Sequence, residues 1–154
     1  KISKRLKHLT TTAKIKHPWN YKYDEMGFNY RLPNLNAALG CAQIKKISFL
    51  LKKKRNLFKK YSKAFKKIDG VEIFKETKFS KSNYWLQALI LDNKVKNLKN
   101  KILHESHKKK IFIRPAWSLI SELKYFKKFP KMNLSNSKNL CKRIINLPSS
   151  SYLG

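Results

Sequence analysis

The clearest pattern of apolar positions in the chain lies between residues 33 and 68 and predicts a long helix. Eight apolar residues share one arc of about 120° at 100° per residue, namely Ile47, Leu50, Leu51, Leu57, Phe58, Tyr61, Phe65 and Ile68. Basic residues occupy most of the remaining circumference. Lys54 falls inside the apolar arc, which predicts a side chain that reaches back to solvent or a bend in the helix. Pro33 suits the first helical position, and Asp69-Gly70 predicts the end, with glycine at the left-handed cap.

The first part of this helix has a different composition from the rest. Residues 35–44 are apolar or small around most of the helix circumference. Such a segment is typical of a helix that is buried on more than one side. We therefore expect it to pack against another domain or a second subunit.

The pattern outside this helix predicts a small α+β domain. Three segments are predicted to be strands, at residues 71–74, 84–91 and 111–113, and the second is apolar enough to be central. Helices are predicted at residues 3–9, 94–109, 119–126 and 135–145. The order ββαβ with flanking helices predicts a three-stranded sheet. The longest nearly apolar run, 84–91, is far shorter than the roughly 20 residues of a membrane span.

The composition is that of a globular chain with a strong positive charge. The chain has 154 residues, is 42% hydrophobic and carries a formal charge of +29. Its 32 lysines far outnumber its 5 arginines, and this excess favours a lysine-covered surface encoded by AT-rich codons, because proteins that read nucleic acid more often use arginine. The alternative is a nucleic-acid-binding module that uses the lysine-rich face of the helix predicted over residues 33–68. Under either interpretation the surface attracts anions such as nucleotides.

The cysteines predict the redox compartment of the protein, and the first residue predicts that the chain is part of a longer one. Cys41 and Cys141 are 100 positions apart, so we expect buried, unpaired thiols in a reducing cytoplasm. The four histidines have no metal-ligand spacing, and no metal site is predicted. Because residue 1 is lysine, we expect the chain to begin inside a larger gene product. Because no predicted helix follows Leu147-Pro148-Ser149-Ser150-Ser151, we expect the C-terminal end to be truncated as well.

The most informative segment is residues 24–40, where a polar, aromatic loop leads into the small-residue helix. The loop contains Gly27, which suits tight backbone geometry, followed by Asn29 and Arg31. A helix N-terminus presents unpaired N–H groups and the positive end of the helix dipole, which favour phosphates and carboxylates. The residues alone therefore predict an anion-binding loop on a rigid helix.

Several motifs in fixed order resemble a known family, the DegT/StrS-type nucleotide-sugar aminotransferases that depend on pyridoxal phosphate. They are Gly27-Phe28-Asn29-Tyr30-Arg31-Leu32-Pro33-Asn34, Ala37-Ala38-Leu39-Gly40-Cys41-Ala42-Gln43, Arg114-Pro115-Ala116-Trp117 and Ile144-Ile145-Asn146-Leu147-Pro148-Ser149-Ser150. The segments Thr10-Thr11-Thr12-Ala13-Lys14 and His17-Pro18-Trp19 are most similar to the branch that aminates 4-keto sugars for legionaminic- or bacillosamine-type glycans.

This resemblance implies the C-terminal part of an aspartate-aminotransferase-like enzyme. Residues 1–32 would be the end of the large domain and an active-site loop, and residues 33–154 the connecting helix and small domain. The Schiff-base lysine and most of the pyridoxal phosphate site would lie upstream of residue 1, so this segment alone would be inactive. The intact homodimer would transfer an amino group, from glutamate, to a nucleotide-linked 4-keto-6-deoxy sugar.

The resemblance also implies site residues, each with a structural alternative. Asn29 would bind the cofactor phosphate of the partner subunit, or form a turn through its own side chain. Tyr30 and Arg31 would face the substrate, although Arg31 could instead pair with Asp24 or Glu25. Arg114 and Trp117 would hold the nucleotide, although Trp117 could equally belong to the core.

Overall fold

The computed structural model describes residues 1–154 and contains two units, Lys1–Lys46 and Ile47–Gly154. Its mixture of helices with a small antiparallel sheet confirms the predicted α+β class. None of its helices has both the length and the apolar character that crossing a membrane requires. The assignment of residues 1–32 to the end of a large domain stays a prediction.

The first unit consists of two helices and a short hairpin. Helix α1 spans Ile2–Thr10. Strands β1 (Lys14–Ile15) and β2 (Lys22–Tyr23) pair antiparallel, with Lys14 opposite Tyr23. Helix α2 covers Asn34–Lys45.

The prediction of one helix over residues 33–68 is wrong, because α2 ends at Lys45 and α3 spans Ile47–Phe65. Lys46 lies between them at φ −99° and ψ −1°, with its amide directed at the carbonyls of Gln43 and Ile44. The apolar arc begins at Ile47 and so marks only α3. After α3 the chain turns at Gly70, whose φ of 79° fits the predicted left-handed position.

The second unit contains a four-stranded antiparallel sheet rather than the predicted three-stranded one. Its strands are β3 (Val71–Ile73), β4 (Gln87–Leu91), β5 (Arg114–Pro115) and β6 (Ile144–Leu147), in the order β3-β4-β6-β5. Strand β4 is central, as predicted. Residues 111–113 form no strand, although Ile113 is buried.

Two helices of the second unit lie close to their predicted positions, and one predicted helix is absent. Helix α4 covers Lys99–Lys108 after a 3₁₀ turn, and α5 covers Ser135–Arg143 before the chain enters β6. The helix predicted over 119–126 is two 3₁₀ turns, Ile120–Glu122 and Lys124–Phe126.

The hydrophobic core of the second unit lies on the sheet. Its buried members come from β4, β6 and the segment before β5, and are Leu89, Leu91, Ile113, Ile145 and Leu147. From α3, Tyr61 and Phe65 pack against this cluster. The apolar arc predicted from the sequence therefore faces the sheet, although Ile68 beyond the helix is 51% exposed.

Lys54, the lysine inside the apolar arc, reaches two backbone carbonyls instead of solvent. Its Nζ donates to the oxygen of Trp85 at 3.0 Å and to that of Ser149. Burial lowers the pKa of Lys54 below its usual value, because a desolvated ammonium is less stable. The lysine thus ties α3 to the segments that flank β4 and follow β6.

The small-residue helix α2 has exposed apolar side chains. Leu35 is 81% exposed, Leu39 61% and Ile44 69%, and no atom lies within 4 Å of the place where a Cβ on Gly40 would be. Packing of α2 against another domain or a second subunit stays a prediction. Cys41 is also exposed and Cys141 is partly exposed, so the expected burial of both thiols is wrong.

Candidate active-site loop and basic cleft

The loop before α2 is fixed to the end of α1 by backbone hydrogen bonds. The Phe28 amide donates to Leu9 at 2.7 Å, and the Tyr30 amide donates to Thr10 at 3.0 Å. In the opposite direction the Thr12 amide donates to Phe28 at 3.0 Å. These bonds flank Asn29 on both sides and hold its backbone in place.

Gly27 allows the loop to approach this close. A Cβ added to Gly27 would lie 2.3 Å from the carbonyl carbon of Thr12 and 2.4 Å from the nitrogen of Ala13. Thr12 and Ala13 have positive φ values of 70° and 49°, which is uncommon for residues with a Cβ. Ala13 is completely buried. The backbone of this left-handed turn therefore occupies the space that any side chain at position 27 would need.

Two acidic residues of the loop are paired with α1. Arg5 donates to both carboxylate oxygens of Glu25, and Nε2 of His8 lies 2.6 Å from Oδ1 of Asp24. The hydrogen bond with His8 lowers the pKa of Asp24. Asp24 and Glu25 are thus engaged by other partners, and the alternative that Arg31 pairs with them is wrong.

The same contacts bring three potential metal ligands together, a group that the sequence did not indicate. Ligand atoms of His8, Asp24 and Glu25 lie within 4.8 Å of one another. Because Arg5 occupies the carboxylate of Glu25, we interpret the group as an ion-pair network that fastens the loop. His8 lies 16 positions before Asp24 and 17 before Glu25, so no spacing motif could have revealed the group.

Asn29 and Tyr30 both have exposed side chains. Asn29 is exposed, and its side chain makes no hydrogen bond within the chain, so the alternative of a turn formed by its own carboxamide is wrong. Tyr30 is 73% exposed, and its ring stacks on Phe28 with centroids 5.5 Å apart. The carboxamide and the phenol are both available to a ligand.

Arg31 lines an open cleft of about 470 Å³ in the first unit. The other lining residues are Thr11, Lys14, Lys16, His17 and Pro18. Of these residues, only Arg31 was predicted from the sequence as a binding residue. Lys14 and Lys16 are two positions apart, a spacing that places two side chains on the same face of an extended strand and could have indicated both. The cleft contains three permanent cations and no carboxylate, so it favours anions.

Arg114 and Trp117 belong to the second unit. Arg114 is exposed on β5, opposite Asn146 of β6. Trp117 is 68% exposed and stacks on Trp85, with ring centroids 6.2 Å apart and planes 21° apart. The core alternative for Trp117 is therefore wrong. Trp85, 66% exposed, completes an aromatic surface that the sequence did not indicate.

Curated relatives match most of this chain but only about a third of their own length. EpsN of Bacillus subtilis is 32% identical over 138 residues, which is 87% of this chain and 35% of EpsN. The GDP-perosamine synthase of Vibrio cholerae is 29% identical over 132 residues, covering 84% of this chain and 35% of the synthase.

Solved structures show the same fold. The PseC aminotransferase of Helicobacter pylori, involved in the biosynthesis of pseudoaminic acid, superimposes with a TM-score of 0.87 at 23% identity. The match covers 98% of this chain and 41% of PseC. Nothing in these relatives supports the nucleic-acid alternative for the lysine-rich surface.

A family model matches the chain over its whole length and confirms the resemblance carried by residues 27–43 and the later motifs. The match runs from residue 1 to residue 154. This chain belongs to the DegT/DnrJ/EryC1/StrS aminotransferase family.

Proposed function

We propose that this chain is the C-terminal part of a pyridoxal phosphate-dependent enzyme that aminates a nucleotide-linked 4-keto-6-deoxy sugar for surface glycans. Glutamate would donate the amino group. Family membership and the similarity to GDP-perosamine synthase support this assignment. When bound, pyridoxal phosphate supplies the chemistry that carries nitrogen from the amino acid to the sugar.

The single observation that carries the proposal is that Asn29 combines a fixed backbone with a free side chain. Its backbone is held by the bonds of the two flanking residues, whereas its carboxamide is exposed and without a partner. Such a group can donate to a phosphate oxygen at little entropic cost, because the loop is already ordered. The residues therefore fit a phosphate group, and Asn29 would hold that of the cofactor bound to a partner subunit.

The remaining site residues would contact the substrate. Arg31 has no carboxylate partner in this chain, so its guanidinium is free to bind an anionic group. Tyr30 would pack against the sugar. In the second unit, Trp117 offers an exposed ring that suits a nucleobase, and Arg114 an unpaired cation that suits a phosphate.

We further propose that the active protein is a cytoplasmic homodimer and that this segment alone has no activity. The uncovered apolar side chains of α2 support contact with another polypeptide segment. The free cysteines fit a reducing compartment. Incubation with pyridoxal phosphate tests the inactivity, since a stoichiometric absorption band from one specific lysine would contradict it.

A chimeric enzyme tests the function. Lys1–Gly154 would replace the matching segment of the Vibrio cholerae GDP-perosamine synthase, and amination of that enzyme's keto-sugar substrate would be followed with glutamate and pyridoxal phosphate. We expect activity, and we expect Asn29→Ala to weaken cofactor binding by about tenfold or more, as for a hydrogen bond to a charged group. Asn20→Ala, which changes another exposed asparagine of the first unit, should have little effect.

Two outcomes would contradict the proposal. One is a correctly folded chimera with no aminotransferase activity. The other is an equal effect of Asn29→Ala and Asn20→Ala on cofactor affinity, because that result would remove the phosphate contact from the loop.

A further inference from the structure

The basic cleft of the first unit contains more positive charge than one phosphate contact requires. Its cations are Lys14, Lys16 and Arg31. Only two acidic residues exist between residues 1 and 46, and both are engaged by Arg5 and His8. Nothing in the first unit therefore neutralises the three cations of the cleft.

Two of the cleft side chains are already ordered. The ammonium of Lys14 lies 4.1 Å from the centre of the Tyr21 ring, a cation–π contact that restricts the side chain. His17 accepts hydrogen bonds at Nδ1 from the amides of Trp19 and Asn20, at 3.3 Å and 3.0 Å. The neutral imidazole therefore carries its proton on Nε2 and offers a donor at that atom. Every charged or titratable group of the cleft can thus donate to an anion.

The size and charge of the cleft select among anions. Its volume of about 470 Å³ lies within the range of small-molecule sites, which is roughly 300–1,000 Å³. Cations that come from two segments can each contact one of two linked phosphates, whereas a carboxylate or a single phosphate offers fewer acceptor oxygens. The cleft therefore favours a ligand that carries two linked phosphates.

We propose that this cleft binds the diphosphate of the nucleotide sugar and that Lys14 and Lys16 are binding residues in addition to Arg31. This inference rests on the proposed function, because it names the part of the substrate that the cleft would recognise. Lys14 and Lys16 contribute positive charge from the hairpin formed by β1 and β2, whereas Arg31 contributes it from the loop before α2. The hairpin then acts as a specificity element for diphosphate-linked sugars.

The test is a titration of the 154-residue chain with inorganic pyrophosphate at fixed ionic strength, followed residue by residue in ¹H–¹⁵N NMR spectra. A control is essential because a net charge of +29 attracts anions over the whole surface. The double variant Lys14→Gln/Lys16→Gln is therefore compared with Lys4→Gln/Lys22→Gln, which removes the same charge. Lys4 and Lys22 are exposed, and Lys22 pairs with Ile15, so it lies on the opposite face of the hairpin from Lys14.

We expect pyrophosphate to shift the amide signals of residues 11–18 and 31, and to bind about tenfold more tightly than inorganic phosphate. Lys14→Gln/Lys16→Gln should lower the affinity about tenfold, whereas Lys4→Gln/Lys22→Gln should change it less than twofold. Equal losses in the two double variants would overturn the proposal in favour of a diffuse charge effect. Equal affinity for phosphate and pyrophosphate would overturn it in favour of a monophosphate site.

The chimeric enzyme separates this inference from the proposed function. In an active chimera, Lys14→Gln/Lys16→Gln should raise the KM for the nucleotide sugar about tenfold with little change in kcat, since ground state and transition state share the contact. An active chimera with an unchanged KM would overturn only the cleft assignment. Pyrophosphate binding that depends on both lysines, together with an inactive folded chimera, would overturn the aminotransferase assignment and leave the cleft as a diphosphate site with no assigned nucleotide sugar.

Discussion

Gly27→Ala is predicted to detach the active-site loop from α1, because the new methyl group has no space. Its Cβ would lie 2.3 Å from the carbonyl carbon of Thr12, and the two nearest further atoms, at 2.4 Å and 2.8 Å, also belong to backbone. An ordinary van der Waals contact needs about 3.4 Å or more. The loop and the turn must therefore separate by about 1 Å.

The magnitude follows from the hydrogen bonds that this separation breaks. Three backbone bonds of 2.7–3.0 Å join residues 28 and 30 to the end of α1 and to Thr12. A shift of about 1 Å lengthens them to nearly 4 Å, which is beyond hydrogen-bond range. At about 1 kcal/mol for each bond, Gly27→Ala should destabilise the first unit by up to about 3 kcal/mol.

Amide hydrogen exchange measures this effect at the affected residues. The amides of Phe28 and Tyr30 should exchange much faster in Gly27→Ala, while the β4 amides of the second unit keep their protection. Gly40→Ala is the matched control, because nothing lies within 4 Å of its new methyl group and alanine favours the helix by roughly 0.5–1 kcal/mol. Unchanged exchange at Phe28 and Tyr30 in Gly27→Ala would refute the steric reasoning.

Two further predictions concern the second unit. Leu91→Ala should destabilise it by about 2–5 kcal/mol in urea unfolding, because Leu91 is fully buried. Ile68→Ala should cost less than about 1 kcal/mol, because Ile68 is 51% exposed. Similar losses in the two variants would contradict the assigned core. The hydrogen bonds from Arg55 lower the pKa of Glu76 below its ordinary 4.5. The ion pair therefore stabilises the folded state fully above pH 4.5, and this stabilisation is lost as the pH falls through the lower pKa of Glu76 in the folded state. Glu76→Gln should flatten the dependence of stability on pH between about 5 and 2, and an unchanged slope would contradict the role of this ion pair.

The pattern of apolar residues predicted the elements in which buried side chains recur at a regular spacing. The arc from Leu50 to Phe65 predicted α3, and the apolar run around Leu89 predicted the central strand β4. Both elements bury a regular face against the same core, so their periodicity survives in the sequence. The break at Lys46 left no such signal, because the residues before it have no apolar stripe.

Strand β6 shows why the sheet was incompletely predicted. Leu140, Cys141, Ile144 and Ile145 have helical spacing, so the pattern extends the helix of residues 135–143 by two residues. Pairing with β4 on one side and β5 on the other makes Ile144–Leu147 extended instead. These partner strands are far away in sequence, so local propensity does not predict the pairing.

The candidate site was also predicted only in part. The motif around Asn29 and Arg31 identified the loop and the family. The cleft beside Arg31 was not predicted, because it requires the chain to reverse at Thr12 and Ala13, residues whose positive φ values are not suggested by their identity.

The sequence by itself determined the family, the α+β class and the loop that presents Asn29, since these depend on residue identities and spacings within short segments. Tertiary structure alone decided that Lys14 and Lys16 line one cleft with Arg31, that Asp24 and Glu25 are paired elsewhere, and that Trp117 stacks on Trp85. The physical reason is that each of these contacts joins residues at least 15 positions apart, and their meeting depends on packing and backbone hydrogen bonds between different segments rather than on local preference.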